Sequence, residues 1–355
     1  MNNPVSFLRR RESIFIYVFS FLIFLYALYS LFRIATSLAP DFSVFYDAAR
    51  GLVSHQNIYT LPMFTGLGYP PFTLLPFIPL TFLPYQFAQV MWVLFSFALF
   101  LASIYLSLLL IRKKVALTEY CIVFILGFLA FPTKFTLGMG QVNFLALVLL
   151  LLAMRYKSGV FLGFLFIMKP HFLLFLPLFF LARRWKMIVV SLVTVLISIL
   201  LTGQNLYQYY FSNVVPQLLV FAGRGIYYNQ GLGAFFSRIV PNMLAGQLTT
   251  WVSLLCIVGG LWFIWDRRLK LEQAVLLFIP IFLLVEPLSW QHHYVFLLPV
   301  YIWLVTANKR NRHWLLLAIS YVLVAINFRN PPTFLLSHVF FGNVLLLYLV
   351  VYEMA

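Results

Sequence analysis

Ionisable side chains are scarce in this chain, and those standing apart from its basic clusters are the ones that could do chemistry. Two carboxylates lie six residues apart in Pro40-Asp41-Phe42-Ser43-Val44-Phe45-Tyr46-Asp47-Ala48-Ala49-Arg50-Gly51-Leu52. Either Asp41 or Asp47 could take the proton of an attacking hydroxyl, which is the work of a general base. Six positions apart on a helix they do not share a face. That disfavours a retaining double displacement, which needs carboxyl groups about 5 Å apart. A plain N-cap at Asp41 and a solvated face at Asp47 are the alternative. Lys134, Lys169, Arg224, Arg238 and Arg329 are cations outside the clusters and suggest an anionic ligand, most simply a phosphate. Snorkelling towards lipid headgroups would also account for each taken singly. Lys169 fits that reading least, because it stands with Pro170 and His171 in the middle of an apolar run. Glu286, Trp290, His292 and His293 make a second polar patch. Adjacent histidines without a carboxylate cluster do not spell a metal site, so contacts to a phosphate or sugar are the reading taken. Tyr227, Tyr228, Trp290 and Tyr294 could stack on a sugar or form an interfacial belt.

The elements that position these residues follow from composition. Hydrophobic residues are 63% of the 355 and charged residues 9%, where soluble domains have roughly 45–50% and 25%. Lipid must solvate much of the surface, so an all-α polytopic membrane protein is expected as a single membrane domain over 1–355. The net charge of +16 comes from short basic clusters between apolar runs, a positive-inside pattern rather than a nucleic-acid surface. Arg9–Arg11, Arg112–Lys114, Arg155/Lys157, Arg183/Arg184/Lys186, Arg267/Arg268/Lys270 and Lys309/Arg310/Arg312 are assigned to the cytoplasm, so an even number of crossings separates neighbours. About twelve crossings result, with both termini inside. The spans are 13–35, 86–111, 119–133, 142–155, 158–168, 171–182, 187–202, 246–265, 272–286, 293–307, 314–327 and 334–353. A first outer loop at 36–70 carries a juxtamembrane helix whose apolar stripe is 42, 45, 49 and 52. The Pro-rich 71–84 is re-entrant or interfacial, and 203–245 is a long outer loop. Helices as short as 158–168 reach only about 17 Å against a hydrocarbon core of about 30 Å. Polar breaks at that depth survive only beside a cavity, here expected to open on the outer face. Cys121 and Cys256, both within apolar runs, are packing residues.

The stretch Asp41…Tyr46-Asp47-Ala48-Ala49…Leu52…Tyr59…Tyr69-Pro70-Pro71 resembles glycosyltransferase family 87, multi-spanning enzymes of the GT-C superfamily. Gly140-Gln141-Val142-Asn143, Lys169-Pro170 and His292/His293-Tyr294 ahead of Leu298-Pro299 carry the resemblance further. It implies a GT-C-like fold and transfer of a hexose, mannose by family preference, from a polyprenyl-phosphate carrier to a lipid or glycan acceptor. The reaction would take place on the outer face of the cell (inner) membrane. The family's early-loop aspartate is matched by Asp41, which implies a base there, with Asp47 kept as a second candidate. Lys134, Lys169, His171, Arg224, Arg238 and Arg329 would hold the donor phosphate. Tyr69, Gln141, Asn143, Glu286, Trp290, His292 and His293 would meet sugar or acceptor.

The residues suit that chemistry on their own terms. A lipid phosphate is a good leaving group, so positive charge can replace a general acid and one carboxylate suffices for inversion at C1. Neither a metal nor another cofactor is expected, nor a nucleic-acid partner. The competing readings are a transporter or flippase of lipid-linked sugars and a ligase or polymerase of lipid-linked glycans. A flippase would also use buried cations and broken helices.

Overall fold

The computed structural model describes residues 4–59, 67–112, 114–220, 226–307, 313–328 and 331–355. Its α-helices, in chain order, begin with α1 (Pro4–Ala35), α2 (Pro40–Val53), α3 (Tyr85–Ile111), α4 (Leu117–Leu129), α5 (Phe131–Met139) and α6 (Asn143–Tyr156). There follow α7 (Gly159–Met168), α8 (Leu176–Leu181), α9 (Trp185–Thr202), α10 (Gln204–Tyr209), α11 (Val215–Val220) and α12 (Leu232–Ile239). The chain closes with α13 (Asn242–Asp266), α14 (Leu271–Val285), α15 (Leu298–Ala307), α16 (Trp314–Ala325) and α17 (His338–Met354). Among the described residues no strand is present, only an isolated antiparallel bridge between Asn229 and Trp290. The protein is an all-α membrane protein.

Among the described residues, four helices are long and apolar enough to cross a membrane alone: Ser13–Ala35 within α1, then α3, α9 and α13. The bent pair α4 and α5, kinked by 67°, makes a fifth if counted as one span. Other apolar helices are only 10–17 residues long, so a count of twelve would need many half-length pieces to act as crossings. The Pro-rich stretch is a 3₁₀ helix over Pro71–Phe82. Pro76 and Pro79 within it lack the N–H an α-helix needs and push their predecessors out of the α region. The stretch 203–245, read from the sequence as a loop, is largely helical. It holds α10, a π-helical turn at Tyr210–Val214, α11, α12 and the start of α13.

Several short helices run between a basic end and a polar end. α6 goes from Asn143 to Arg155 in its last turn, α7 returns from Gly159, two residues past Lys157, to hand over to Lys169, and α14 runs from Lys270 to Glu286. At 1.5 Å per residue α7 is about 15 Å long. Lys169 therefore sits well short of a full membrane crossing. Side chains satisfy the backbone groups these breaks expose. Gln89 Nε2 donates to the carbonyls of Ile34, Ala35 and Ser37 at the end of α1, and Tyr46 Oη donates to Leu83 O at 2.8 Å.

α2 lies against this break region. Its buried residues are Phe42, Phe45, Tyr46, Ala48 and Ala49, while Asp47 and Arg50 face out. Phe45 stacks on Phe77 at 4.7 Å, and Phe77 packs against Trp92 at 4.2 Å with the rings tilted by 38°. Trp92 Nε1 in turn donates to Gly140 O at 2.8 Å. Gly140 ends α5 in the left-handed conformation at φ 73°, and a Cβ there would lie 2.5 Å from Phe42 Cβ. This close approach brings the 140–143 turn against the first turn of α2.

Gly140→Ala is therefore expected to force the turn and α2 apart, adding left-handed strain of roughly 1–2 kcal/mol to the steric overlap. The measurement is the thermal midpoint of the purified protein, which should fall by a few degrees.

Candidate active site

Asp41 belongs to the first turn of α2, where the helix dipole favours a carboxylate. Its side chain is not the cap. That position is Ala39, which makes no side-chain cap hydrogen bond. Asp41 Oδ2 instead accepts from Gln141 Nε2 at 2.5 Å. Gln141 Oε1 accepts from Tyr69 Oη at 3.0 Å, and Tyr59 Oη donates to Tyr69 O at 2.8 Å. The amide orientation follows, since an ionised carboxylate can only accept. α2 lies outside the spanning helices, and burial pushes the Asp41 carboxyl up from its ordinary value to about 6. The Gln141 hydrogen bond and the charge of Lys169 oppose that rise. A carboxyl group with that pKa can exchange a proton close to neutral pH.

Lys169 caps the end of α7, where Pro170 starts a short 3₁₀ stretch through Phe175. It is fully buried. Its ammonium lies 5.6 Å over the Tyr69 ring and 3.2 Å from His293 Nε2. The other ring nitrogen, His293 Nδ1, is 3.1 Å from Glu286 Oε2, and Glu286 Oε1 is 3.3 Å from His171 Nε2. A connected path thus runs from Asp41 through Gln141 and Tyr69 to Lys169, and on through His293 to Glu286 and His171. A second set of bonds fixes the segment carrying the histidines. Thr136 Oγ1 and Asn143 Nδ2 both donate to His292 O at 2.9 Å. Gln291 N donates to Tyr228 O, and Gln230 N to Ser289 O, each at 2.8 Å.

The other residues expected at the site take different places. Asp47 is exposed. Lys134 has its ammonium 5.4 Å over the Tyr26 ring of α1 and 6.0 Å over Phe128. Arg238 donates to the carbonyls of Ile226 and Asn229 and to Ser337 Oγ, so its guanidinium braces the 226–229 turn. Trp290 lies parallel to the His292 ring at 6.3 Å. Arg224 and Arg329 fall outside the described residues. Asn143 Oδ1, His292 Nδ1 and both polar atoms of Gln291 are buried without a hydrogen-bond partner. Among the described residues no group of three or more His, Cys, Asp or Glu could hold a metal ion.

Sequence reasoning missed Thr136, Trp92 and Gln230, whose role is to hold the turns that carry the site. Gln230 is fully buried and bonds Tyr227 O, Leu336 O and Phe340 N. The signal available was a polar residue inside an apolar stretch, which does not separate such braces from ligand contacts.

The profile of glycosyltransferase family 87 matches residues 64–287. The chain belongs to glycosyltransferase family 87. That match includes Tyr69, Gln141, Lys169, His171 and Glu286 of the network, while both Asp41 and His293 lie outside it. The chain is also 34% identical over 137 residues to a Mycobacterium tuberculosis (strain CDC 1551 / Oshkosh) protein. That protein is the polyprenol-phosphate-mannose-dependent alpha-(1-2)-phosphatidylinositol pentamannoside mannosyltransferase. The alignment covers 35% of this chain and 29% of that relative's length. No solved structure matches the chain.

For a family 87 chain the position of Asp41 makes a pH dependence measurable. The carboxylate is the basic form, so the transfer rate is expected to rise with pH through about 6. Gln141→Ala removes the hydrogen bond that favours the ionised carboxyl, so the acid limb should move to higher pH. A pH–rate profile of the two proteins at saturating donor checks both expectations.

Proposed function

We propose that this protein transfers a hexose, mannose being best supported, from a polyprenyl-phosphate carrier to a lipid or glycan acceptor, with inversion. The observation that carries the reading is one carboxylate, Asp41, tied through Gln141 and Tyr69 to one buried ammonium, Lys169. In the reaction the acceptor hydroxyl oxygen attacks C1 of the sugar as its proton passes to Asp41. The bond from C1 to the phosphate oxygen breaks, and its electron pair leaves with the lipid phosphate. Lys169 offsets the negative charge gathering on that phosphate, as a fixed cation in a low-dielectric site can. Glu286 is occupied by His171 and His293, and Asp47 is exposed. Neither is free to act as a nucleophile beneath C1, which favours a single displacement. Buried Asn143 and Gln291 have unused polar atoms suited to sugar hydroxyls.

A cavity of about 430 Å³ supports a lipid-linked substrate. Phe100, Leu126, Phe144, Tyr294, Val295 and Leu298 line it, and the Arg112–Glu119 ion pair lies at its edge. Tyr294 and Val295 follow His293 directly, so one short segment faces both the polar network and the apolar cavity. The activity named for the mycobacterial relative supports a polyprenol-phosphate-mannose donor and a phosphatidylinositol mannoside type of acceptor. The basic ends of α6, α7 and α14 lie opposite the ends that carry the network. By the positive-inside rule this supports about twelve crossings, cytoplasmic termini and a site on the outer face of the cell membrane.

The test is turnover by purified protein given polyprenyl-phosphate mannose and a glycolipid acceptor. Asp41→Asn is expected to lower the rate by at least about 100-fold, within the usual range for loss of a general base. Asp47→Asn should stay within about threefold of wild type. Full activity in Asp41→Asn would remove the base assignment. Movement of carrier lipid between leaflets without consumption of its sugar would favour a flippase.

A further inference from the structure

Glu286 occupies a position that costs stability twice. It follows Val285 at the C-terminus of α14, where the helix dipole disfavours a carboxylate, and only 4% of it is exposed. An uncompensated buried carboxylate costs several kcal/mol. The fold nonetheless fixes it closely. Gly231 packs so that a Cβ would lie 2.7 Å from Glu286 O, and Asn229 Nδ2 donates to Pro287 O at 3.0 Å. The backbone is held by this loop, and the carboxylate is left to organise what lies in front of it.

What lies in front are two imidazoles, one on each carboxylate oxygen. A lysine ammonium has three donors and no lone pair, so His293 Nε2, 3.2 Å from Lys169 Nζ, must accept. The His293 proton is then on Nδ1 and is donated to Glu286 Oε2. His171 Nε2 lies 3.3 Å from Glu286 Oε1, close enough for charge to be felt but without a hydrogen bond. The carboxylate thereby sets the tautomer of His293, as a carboxylate behind a histidine commonly does in metal and catalytic sites. The imidazole passes that order to the ammonium.

Resting on the assignment of Lys169 to the donor phosphate, we propose that Glu286 is a positioning residue for that lysine. It locks His293 into the tautomer that accepts one ammonium proton, and the remaining protons are directed to the phosphate. This reassigns Glu286 away from the sugar or acceptor contact expected from the sequence. Glu286 touches no substrate in this scheme; it acts through His293. The carboxylate also balances the lysine's charge in the resting site, so the ammonium is retained before the anionic donor arrives.

The experiment uses the full-length protein in detergent, with farnesyl phosphate and farnesol as paired probes that differ only in the phosphate. Binding of each is measured for wild type, Lys169→Met, Glu286→Gln, Glu286→Asp, His293→Gln and the Glu286→Gln/His293→Gln double variant. Wild type should prefer farnesyl phosphate, and Lys169→Met should lose that preference. Glu286→Gln should weaken farnesyl phosphate binding at least about tenfold while leaving farnesol binding unchanged. Glu286→Asp should recover most of the loss. His293→Gln keeps an acceptor near Lys169 but severs the link to Glu286, so it should match Glu286→Gln. The double variant should be no worse than either, because residues acting through one another are non-additive. If Lys169→Met loses the phosphate preference while Glu286→Gln and His293→Gln keep it, Glu286 has no such role and the lysine assignment stands. Equal loss of both probes in Glu286→Gln and His293→Gln would mean a general packing role and would also overturn the proposal. Wild type binding both probes alike would overturn the lysine assignment and the Glu286 proposal together.

Discussion

A lysine ammonium with no exposed surface, inside a bundle whose residues are mostly apolar, is the constraint around which the rest of this structure is arranged. A charge near the centre of a membrane helix costs roughly 2.5–3.5 kcal/mol even on the mildest scales. Lys169 is kept by three kinds of compensation: the face of Tyr69, the ring nitrogen of His293, and the carboxylates Glu286 and Asp41 at one remove on either side. Each compensating group is delivered by a different break in a helix. Tyr69 precedes the 3₁₀ stretch 71–82, Gln141 follows the left-handed end of α5, His293 lies in the 3₁₀ stretch Gln291–Leu297, and Glu286 ends α14. The broken helices and the network are thus one feature. Regular helices would satisfy their own backbones and leave no turn at this depth from which such groups could converge.

The breaks have costs of their own, and these explain the residues that surround the site without joining it. Freed carbonyls and N–H groups inside an apolar protein need partners. Trp92, Thr136, Asn143, Gln89 and Gln230 supply them, each from within a largely apolar segment. Arg238 does the same for the 226–229 turn with several donors at once. A guanidinium suits this because its rigid fork can reach more than one carbonyl. A charged residue that is unpaired in the sequence is therefore not the same as a charge free for a ligand.

That distinction marks how far the sequence could be read. The all-helical membrane class, the surface helix after Pro40 and the break at Lys169–Pro170 were legible, because hydropathy and proline act locally. Asp41 and Gln141 each stand out through resemblance to family 87, but as base and sugar contact and not as partners of one another. The roles of the cations were not legible. The sequence assigns both Lys134 and Lys169 to the donor phosphate, yet one lies over the rings of Tyr26 and Phe128 and the other reaches His293. The neighbours of Lys169 set it apart but do not name its partner, since Tyr26 and His293 are each more than a hundred residues from the lysine they meet. The helices inside 203–245 were missed for a different reason. Their glycines and polar residues suggest a loop, while packing of Leu232 and Phe235 against Leu284 and Phe340 overrides that preference.

On the proposed function, the same geometry would suit a lipid carrier better than a water-soluble donor. The segment 291–297 turns His293 towards the ammonium and its next two residues, Tyr294 and Val295, towards an apolar cavity. A substrate with a phosphate joined to a long hydrocarbon would find its charge and its tail met by neighbouring residues of one short turn. A soluble sugar phosphate would gain nothing from the cavity and would have to be desolvated on arrival. For the lipid, burial of the tail contributes in proportion to apolar area, about 25 cal/mol per Å². That binding is indifferent to the sugar, so it can hold the donor while the polar contacts act only on the reacting end. Interactions with remote, unreactive parts of a substrate can support orientation at the centre where bonds change. In a site with one carboxylate and one ammonium, orientation is most of what the protein has to supply.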